Sequence, residues 1–193
     1  MADFKAATTK KVAILVAPGL EEIEALAPLD VLWRAGVPTD LVSITRSREV
    51  TSSHNVVVTC NRTLDEASLE DYDMLVLPGG IPGMPNLKGD SRVIDAVSAR
   101  VKADRPVAAI CASPSILADA GLITGRRATA NPGFVNVLKD NDVEVSEDAV
   151  VVDGNLITSR GMATATDFGL EIVRHYLGDE AVEEVKKKIV YQG

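Results

Sequence analysis

The chain has 193 residues, 46% of them hydrophobic but only 4% aromatic, and a formal net charge of −8. That length suits one domain with a sizeable aliphatic core, and the acidic balance argues against a nucleic-acid partner, whose backbone demands a basic face. No apolar run approaches the roughly 18 residues of a membrane span and the N-terminus has no apolar leader, so the expected compartment is the cytoplasm, with no membrane partner.

Met1–Lys10 is polar and aperiodic and is expected to be a flexible extension, leaving residues 11–193 as a single folded domain. Lys11–Ala17 (KVAILVA) reads as a buried strand stopped by Pro18-Gly19. Glu21–Ala35 reads as a helix, because Ile23, Leu26, Ala27 and Val31 recur at helical spacing, two early glutamates suit the dipole and Gly36 closes it. Strands follow at Thr39–Thr45 and Asn55–Thr59, then a short helical or turn segment at Asp65–Tyr72. The next strand, Met74–Leu77, ends in Pro78-Gly79-Gly80. Ser91–Ala103 predicts a helix and Pro106–Ile110 a buried strand, with Ser113-Pro114 as the N-cap and first position of a helix ended by Gly121. The alternation continues with a strand at Arg127–Ala130, a helix at Gly133–Asp140, and strands at Val143–Val145 and Val150–Val152 around an acidic turn. A strand at Asn155–Ser159 and helices at Ala163–Tyr176 and Asp179–Val190 complete it. Such alternation implies an α/β fold, a doubly wound, mostly parallel sheet with helices on both faces.

Ligands bind such sheets beyond the carboxyl ends of the strands. Pro18–Glu24, Pro78–Pro82 and Cys111–Ser113 share that address. Cys111 stands where a strand stops and a helix begins, so its thiol would meet unpaired N–H groups and the positive end of a dipole, both favouring thiolate. That is the logic of a nucleophile elbow. A lone cysteine is more often a small buried hydrophobe, and here the strand-end position reverses that preference. Gly79-Gly80 reads as a turn or as a close approach of backbone N–H groups to a ligand; no dinucleotide fingerprint or Walker A motif is present. Glu24 reads either as a solvated helix-face acid or as a carboxyl held protonated near a thiolate. The residues alone leave both readings open. Cys60 and Cys111 are expected to be reduced, and with only His54 and His175 beside them no structural zinc is expected. His175, late in a helix, reads as structural, and Cys60 is assigned no catalysis.

Four segments are more specific together: Pro18–Glu24 (PGLEEIE), Leu77–Gly80 (LPGG), Ala108–Ala112 (AAICA) and Thr158–Gly161 (TSRG). In this order the chain resembles the ThiJ/PfpI superfamily, on the branch of the Parkinson-disease-associated protein DJ-one and bacterial YajL, from about Lys11 to Gly178. The resemblance implies a flavodoxin-like fold, a homodimer and no metal or organic cofactor. It implies that Cys111 is an oxidisable nucleophile, that Glu24 is the carboxylic acid hydrogen-bonded to it, and that the backbone N–H groups of Gly80 and Ala112 form an oxyanion hole. Gly79, His54 and Asn131 are then expected at the pocket. The implied function is glutathione-independent glyoxalase or deglycase action on methylglyoxal, glyoxal or their early adducts, in defence against carbonyl and oxidative stress. The alternative is a redox sensor or redox-regulated chaperone that uses oxidation of the same cysteine.

The chain departs from that branch at two places. Asn131-Pro132 stands where those relatives carry His-Pro, and an amide cannot act as a general base. His54 stands where they carry an arginine, which implies a pocket less electropositive at neutral pH. The PfpI-type proteases place a histidine directly after the cysteine; here Ala112 follows, which argues against peptidase activity.

Overall fold

The computed structural model describes residues 4–192. The chain opens with β1 (Val12–Val16), α1 (Glu22–Ala35) and β2 (Thr39–Ser43), followed by β3 (Glu49–Thr51), β4 (Val57–Thr59) and β5 (Arg62–Thr63). Next come β6 (Met74–Leu77), α2 (Gly83–Gly89), α3 (Ser91–Lys102), β7 (Val107–Ile110) and α4 (Pro114–Asp119). The last third holds β8 (Arg127–Ala128), α5 (Val135–Asp140), β9 (Glu144–Val145), β10 (Val150–Asp153), β11 (Leu156–Ser159) and α6 (Ala165–Lys188).

Seven strands form one sheet in the order β10-β11-β7-β6-β1-β2-β5. All its pairings are parallel except β10 with β11. β1, β6 and β7 are apolar at every position because both faces of the sheet are covered. Along β1 the side chains alternate between two cores. Val12, Ile14 and Val16 pack with Leu32 of α1 and Phe168 and Ile172 of α6, whereas Ala13 and Leu15 pack with Val93 and Val97 of α3 and Ile116 of α4. From β1 the chain passes to β2 on one side and later returns to β6 on the other, so the topological switch, beside which such sheets bind ligands, lies between β1 and β6. This is the doubly wound, flavodoxin-like arrangement expected.

Several local expectations are corrected. Asn55–Thr59 does not join the main sheet; its β4 portion pairs antiparallel with β3, a strand the sequence did not suggest, as a separate two-stranded flap. β8 and β9 likewise pair with each other outside the main sheet. Gly83–Gly89 is helical although glycine and proline fill three of its seven positions. α6 runs through the expected break between two helices, but Gly178 at φ 78° interrupts the helical backbone where the break was placed.

Residues 4–10, expected to be flexible, carry no helix or strand yet touch the body at several points. Ala7 N–H donates to Gly36 O at 2.8 Å, Lys10 pairs with Asp73 at 2.9 Å, and the Phe4 ring lies 6.0 Å from that of Trp33. Met1–Asp3, in the same expected extension, and Gly193 lie outside the described residues.

Candidate active site

Cys111 follows β7 directly and takes φ 65°, the left-handed region that a residue with a Cβ enters at a cost of order 1–3 kcal/mol. The surrounding backbone enforces it. Cys111 N–H donates to Ser159 O at the end of β11 (2.9 Å), and Cys111 O accepts from Asn131 N–H (2.8 Å). Ser113 does not cap α4 as expected: its backbone is already helical, and its hydroxyl donates to Pro78 O at 2.5 Å. That bond ties the turn after β7 to the turn after β6.

Glu24 is 1% exposed, which decides between its two sequence readings. Glu21 N-caps α1 by accepting Glu24 N–H (2.8 Å), and Glu21 N–H donates to Gly79 O (3.1 Å), so the start of the helix is locked to the LPGG turn. Gly79 N–H in turn donates to Glu24 Oε2 at 3.0 Å. Gly79 must lack a side chain: a Cβ there would lie 2.6 Å from Glu24 Oε2 and 2.7 Å from Cys111 Cβ. Gly80 takes φ 96°, and its N–H, together with that of Ala112, is directed at the Cys111 sulfur.

Burial raises the Glu24 carboxyl to about 7 against its hydrogen bond to Cys111. Burial, with the Glu24 charge beside it, pushes the Cys111 thiol up to about 12, while the Ala112 and Gly80 N–H groups pull the other way. The expectation of a thiol depressed by a helix N-terminus is therefore corrected. α4 has only 6 residues, so its dipole is small, and desolvation and a neighbouring carboxylate outweigh it. The two groups titrate as a pair that holds one proton above about pH 7.

The structure brings Cys111, Glu24, Gly79, Gly80, Ala112 and Asn131 together. It adds Gly161, quoted within a motif but not singled out by the sequence reading: a Cβ there would lie 3.6 Å from Asn131 Nδ2, 3.7 Å from Glu24 Oε1 and 3.8 Å from Cys111 Sγ. A glycine directly beyond a parallel strand was the available signal. His54 sits on the flap loop between β3 and β4, exposed, with Nδ1 3.1 Å from a Glu22 oxygen, and that carboxylate raises its pKa. Its flap adjoins the start of α1 through Ser53 N–H to Leu20 O (2.9 Å), so it stands at the rim with its ring engaged by Glu22. Glu21, Glu22 and His54 bring ligand-type atoms within 4.8 Å of one another, but the first is occupied as a cap and the other two pair with each other. Both cysteines are free, and burial alone holds Cys60 up to about 11, which suits an inert core thiol. His175 is half-buried with its ring edge-on to Tyr176.

A flavodoxin-like sheet that carries, beyond its strand ends, a strained cysteine against a buried carboxyl defines a class of α/β proteins with a cysteine elbow. The DJ-1/PfpI family profile matches residues 10–175, and the chain belongs to that family. Protein dj-1beta of Drosophila melanogaster is 35% identical over 182 residues, 94% of this chain and 97% of the relative. Protein DJ-1 homolog B of Arabidopsis thaliana is 37% identical over 180 residues, 93% of this chain, and this chain spans only 41% of that relative. The crystal structure of Drosophila melanogaster DJ-1beta superposes with a TM-score of 0.91 at 34% identity, covering 96% of this chain and 100% of that one. Oxidized Toxoplasma gondii DJ-1 gives 0.89 at 28% identity, covering 96% and 100%. Among the described residues no helix is long and apolar enough to cross a membrane.

Proposed function

We propose that the protein is a cofactor-free, cysteine-dependent glyoxalase or deglycase acting on methylglyoxal, glyoxal or their early adducts. The observation that carries this reading is the buried Glu24 carboxyl, placed against Cys111 so that the two can exchange a proton beside the N–H groups of Gly80 and Ala112. With that proton on Glu24, the thiolate bonds to the aldehyde carbon, the carbonyl π pair moves to oxygen, and Glu24 protonates it. The two N–H groups stabilise the charge as it develops. Proton transfer from the former aldehyde carbon to the former ketone carbon gives a thioester, and water releases the 2-hydroxy acid and the thiol. One carbon is oxidised and its neighbour reduced, so no external redox partner is consumed.

The test is turnover of methylglyoxal to lactate without glutathione, in protein freed of contaminating glyoxalase. Cys111→Ala is expected to fall to the buffer rate while keeping its melting temperature within a few degrees; residual turnover in that variant would remove the thiol from the chemistry.

A second reading, a redox sensor or redox-regulated chaperone, is supported by the same donors and by the Toxoplasma gondii relative having been solved in an oxidized form. There two equivalents of hydrogen peroxide would convert Cys111 to the sulfinate, with Glu24 protonated against it. A protein that gains two oxygen atoms at Cys111 under mild peroxide yet turns over no dicarbonyl would favour it.

We also carry forward the cytoplasm as compartment, in keeping with two free cysteines, and a homodimer. Ile23 on α1 and Val56 and Val57 on the adjoining flap are exposed apolar side chains on neighbouring segments, a face that a second copy would cover. Val57→Glu is expected to shift the mass seen by light scattering from dimer to monomer. An unchanged dimer would place the interface elsewhere.

A further inference from the structure

The volume above Gly161 is lined by three groups, and only two of them belong to the thiol–carboxyl pair. The third, Asn131 Nδ2, has its orientation fixed. Gly133 N–H donates to the other end of the amide at 3.0 Å, and because a backbone N–H can only donate, the atom facing it is the carbonyl oxygen Oδ1. The amide nitrogen is thereby turned toward the point that a Gly161 side chain would occupy, 3.6 Å from it, with Cys111 Sγ 3.8 Å and Glu24 Oε1 3.7 Å from the same point. Among the described residues no acceptor takes the Nδ2 hydrogens. The backbone holds Asn131 in place as well, through Asn131 N–H to Cys111 O and Phe134 N–H to Asn131 O at 2.7 Å.

Resting on the function proposed above, we infer that Asn131 Nδ2 and the side-chain-free Gly161 form a subsite for a second oxygen, one carried on the carbon adjacent to the electrophilic carbon and accepting a hydrogen bond from Nδ2. The site therefore selects vicinal dicarbonyls over simple aldehydes. Cys111 Sγ takes the aldehyde carbon, whose oxygen turns to the Gly80 and Ala112 N–H groups, and the neighbouring carbonyl oxygen fills the space over Gly161. Asn131 neither gains nor loses a proton in this role. It positions and recognises, and a simple aldehyde leaves its donor without a protein or ligand acceptor.

Methylglyoxal and propanal are a matched pair, with the same carbon count and differing by that one oxygen. Their apparent affinities for Cys111 are read from protection against iodoacetamide and each is divided by the value for free cysteine, which removes intrinsic electrophilicity. Wild type is expected to keep a methylglyoxal preference after this correction. Asn131→Ser retains a capping oxygen for Gly133 N–H but does not reach the pocket; it should cut the preference by roughly tenfold while leaving propanal unchanged. Gly161→Ala, whose methyl enters the space without overlap but strains the backbone at φ 159°, should lower methylglyoxal more than propanal. It serves if Asn131→Ser folds poorly, read at a temperature where its melt shows a folded protein. A preference that survives in both variants, or an equal loss for both aldehydes, overturns the subsite. The two proposals fail separately: a preference in adduct formation without turnover sinks the glyoxalase reading alone, and turnover without preference sinks this one alone.

Discussion

Glu24→Gln is expected to move the pH limb of Cys111 alkylation upward from about 7, and to slow methylglyoxal turnover at neutral pH by at least roughly tenfold. In wild type the first proton leaves the pair around that pH, and the carboxylate so formed can take up the thiol's proton as the sulfur reacts, so no second ionisation of the pair is needed. Glutamine still offers an N–H to the sulfur but carries no proton to exchange. The thiolate must then form by loss of the thiol's own proton against the burial that raises it. A limb that stayed near about 7 in the variant would return Glu24 to a purely structural role.

The same shift has a stability signature. The folded-state value of Glu24 lies above its ordinary 4.5, so folding favours the protonated carboxyl. That contribution is fully present below about 4.5 and is lost as pH rises through about 7, a difference of about 3 kcal/mol. Glu24→Gln has no such proton to lose. Its unfolding free energy should gain on wild type by about that amount between the two ends of the window, measured by denaturant titration at each pH.

What the sequence made legible follows from how each feature is enforced. β1, β6 and β7 were readable because double-sided burial demands uninterrupted apolar runs, and α1 because its apolar stripe ends at Gly36, which closes it at φ 80°. β5 has two residues, too few to express a period, whereas β8 and β9 fall within the strands expected at Arg127–Ala130 and Val143–Val145 but are two residues each. α2 was hidden by Gly83, Pro85 and Gly89, poor helix formers held in place by tertiary contacts such as Asn86 Nδ2 to Pro18 O at 2.9 Å. The order of the site segments was visible, and with it Cys111 at a strand end. The φ of Cys111 was not, since it is imposed by hydrogen bonds to Ser159 and Asn131, more than 15 residues away in the chain. Glu24 stayed ambiguous for the same reason: its burial depends on three turns converging. The direction of the thiol shift was misjudged because a helix end was weighed without the desolvation that accompanies it.

Gly79→Ala is expected to cost about 1–3 kcal/mol of stability and to reduce turnover close to the level of Cys111→Ala. The new methyl would start 2.6 Å from Glu24 Oε2, 2.7 Å from Cys111 Cβ and 3.2 Å from Cys111 Sγ. None of these can yield freely. Cys111 is pinned on both sides by backbone hydrogen bonds, and Glu24 sits on a capped helix whose first turn is tied to Gly79 itself. Relief therefore has to come from the LPGG turn, and moving that turn breaks the Gly79 N–H bond to Glu24 and swings the Gly80 N–H away from the sulfur. Gly89→Ala is the control, because nothing lies within 4 Å of its added methyl; it should leave turnover unchanged and melting temperature level or slightly raised. Thermal melts and dicarbonyl turnover of the two variants side by side check this, and a Gly79→Ala protein with wild-type turnover would show that thiol and carboxyl do not meet over this glycine as described.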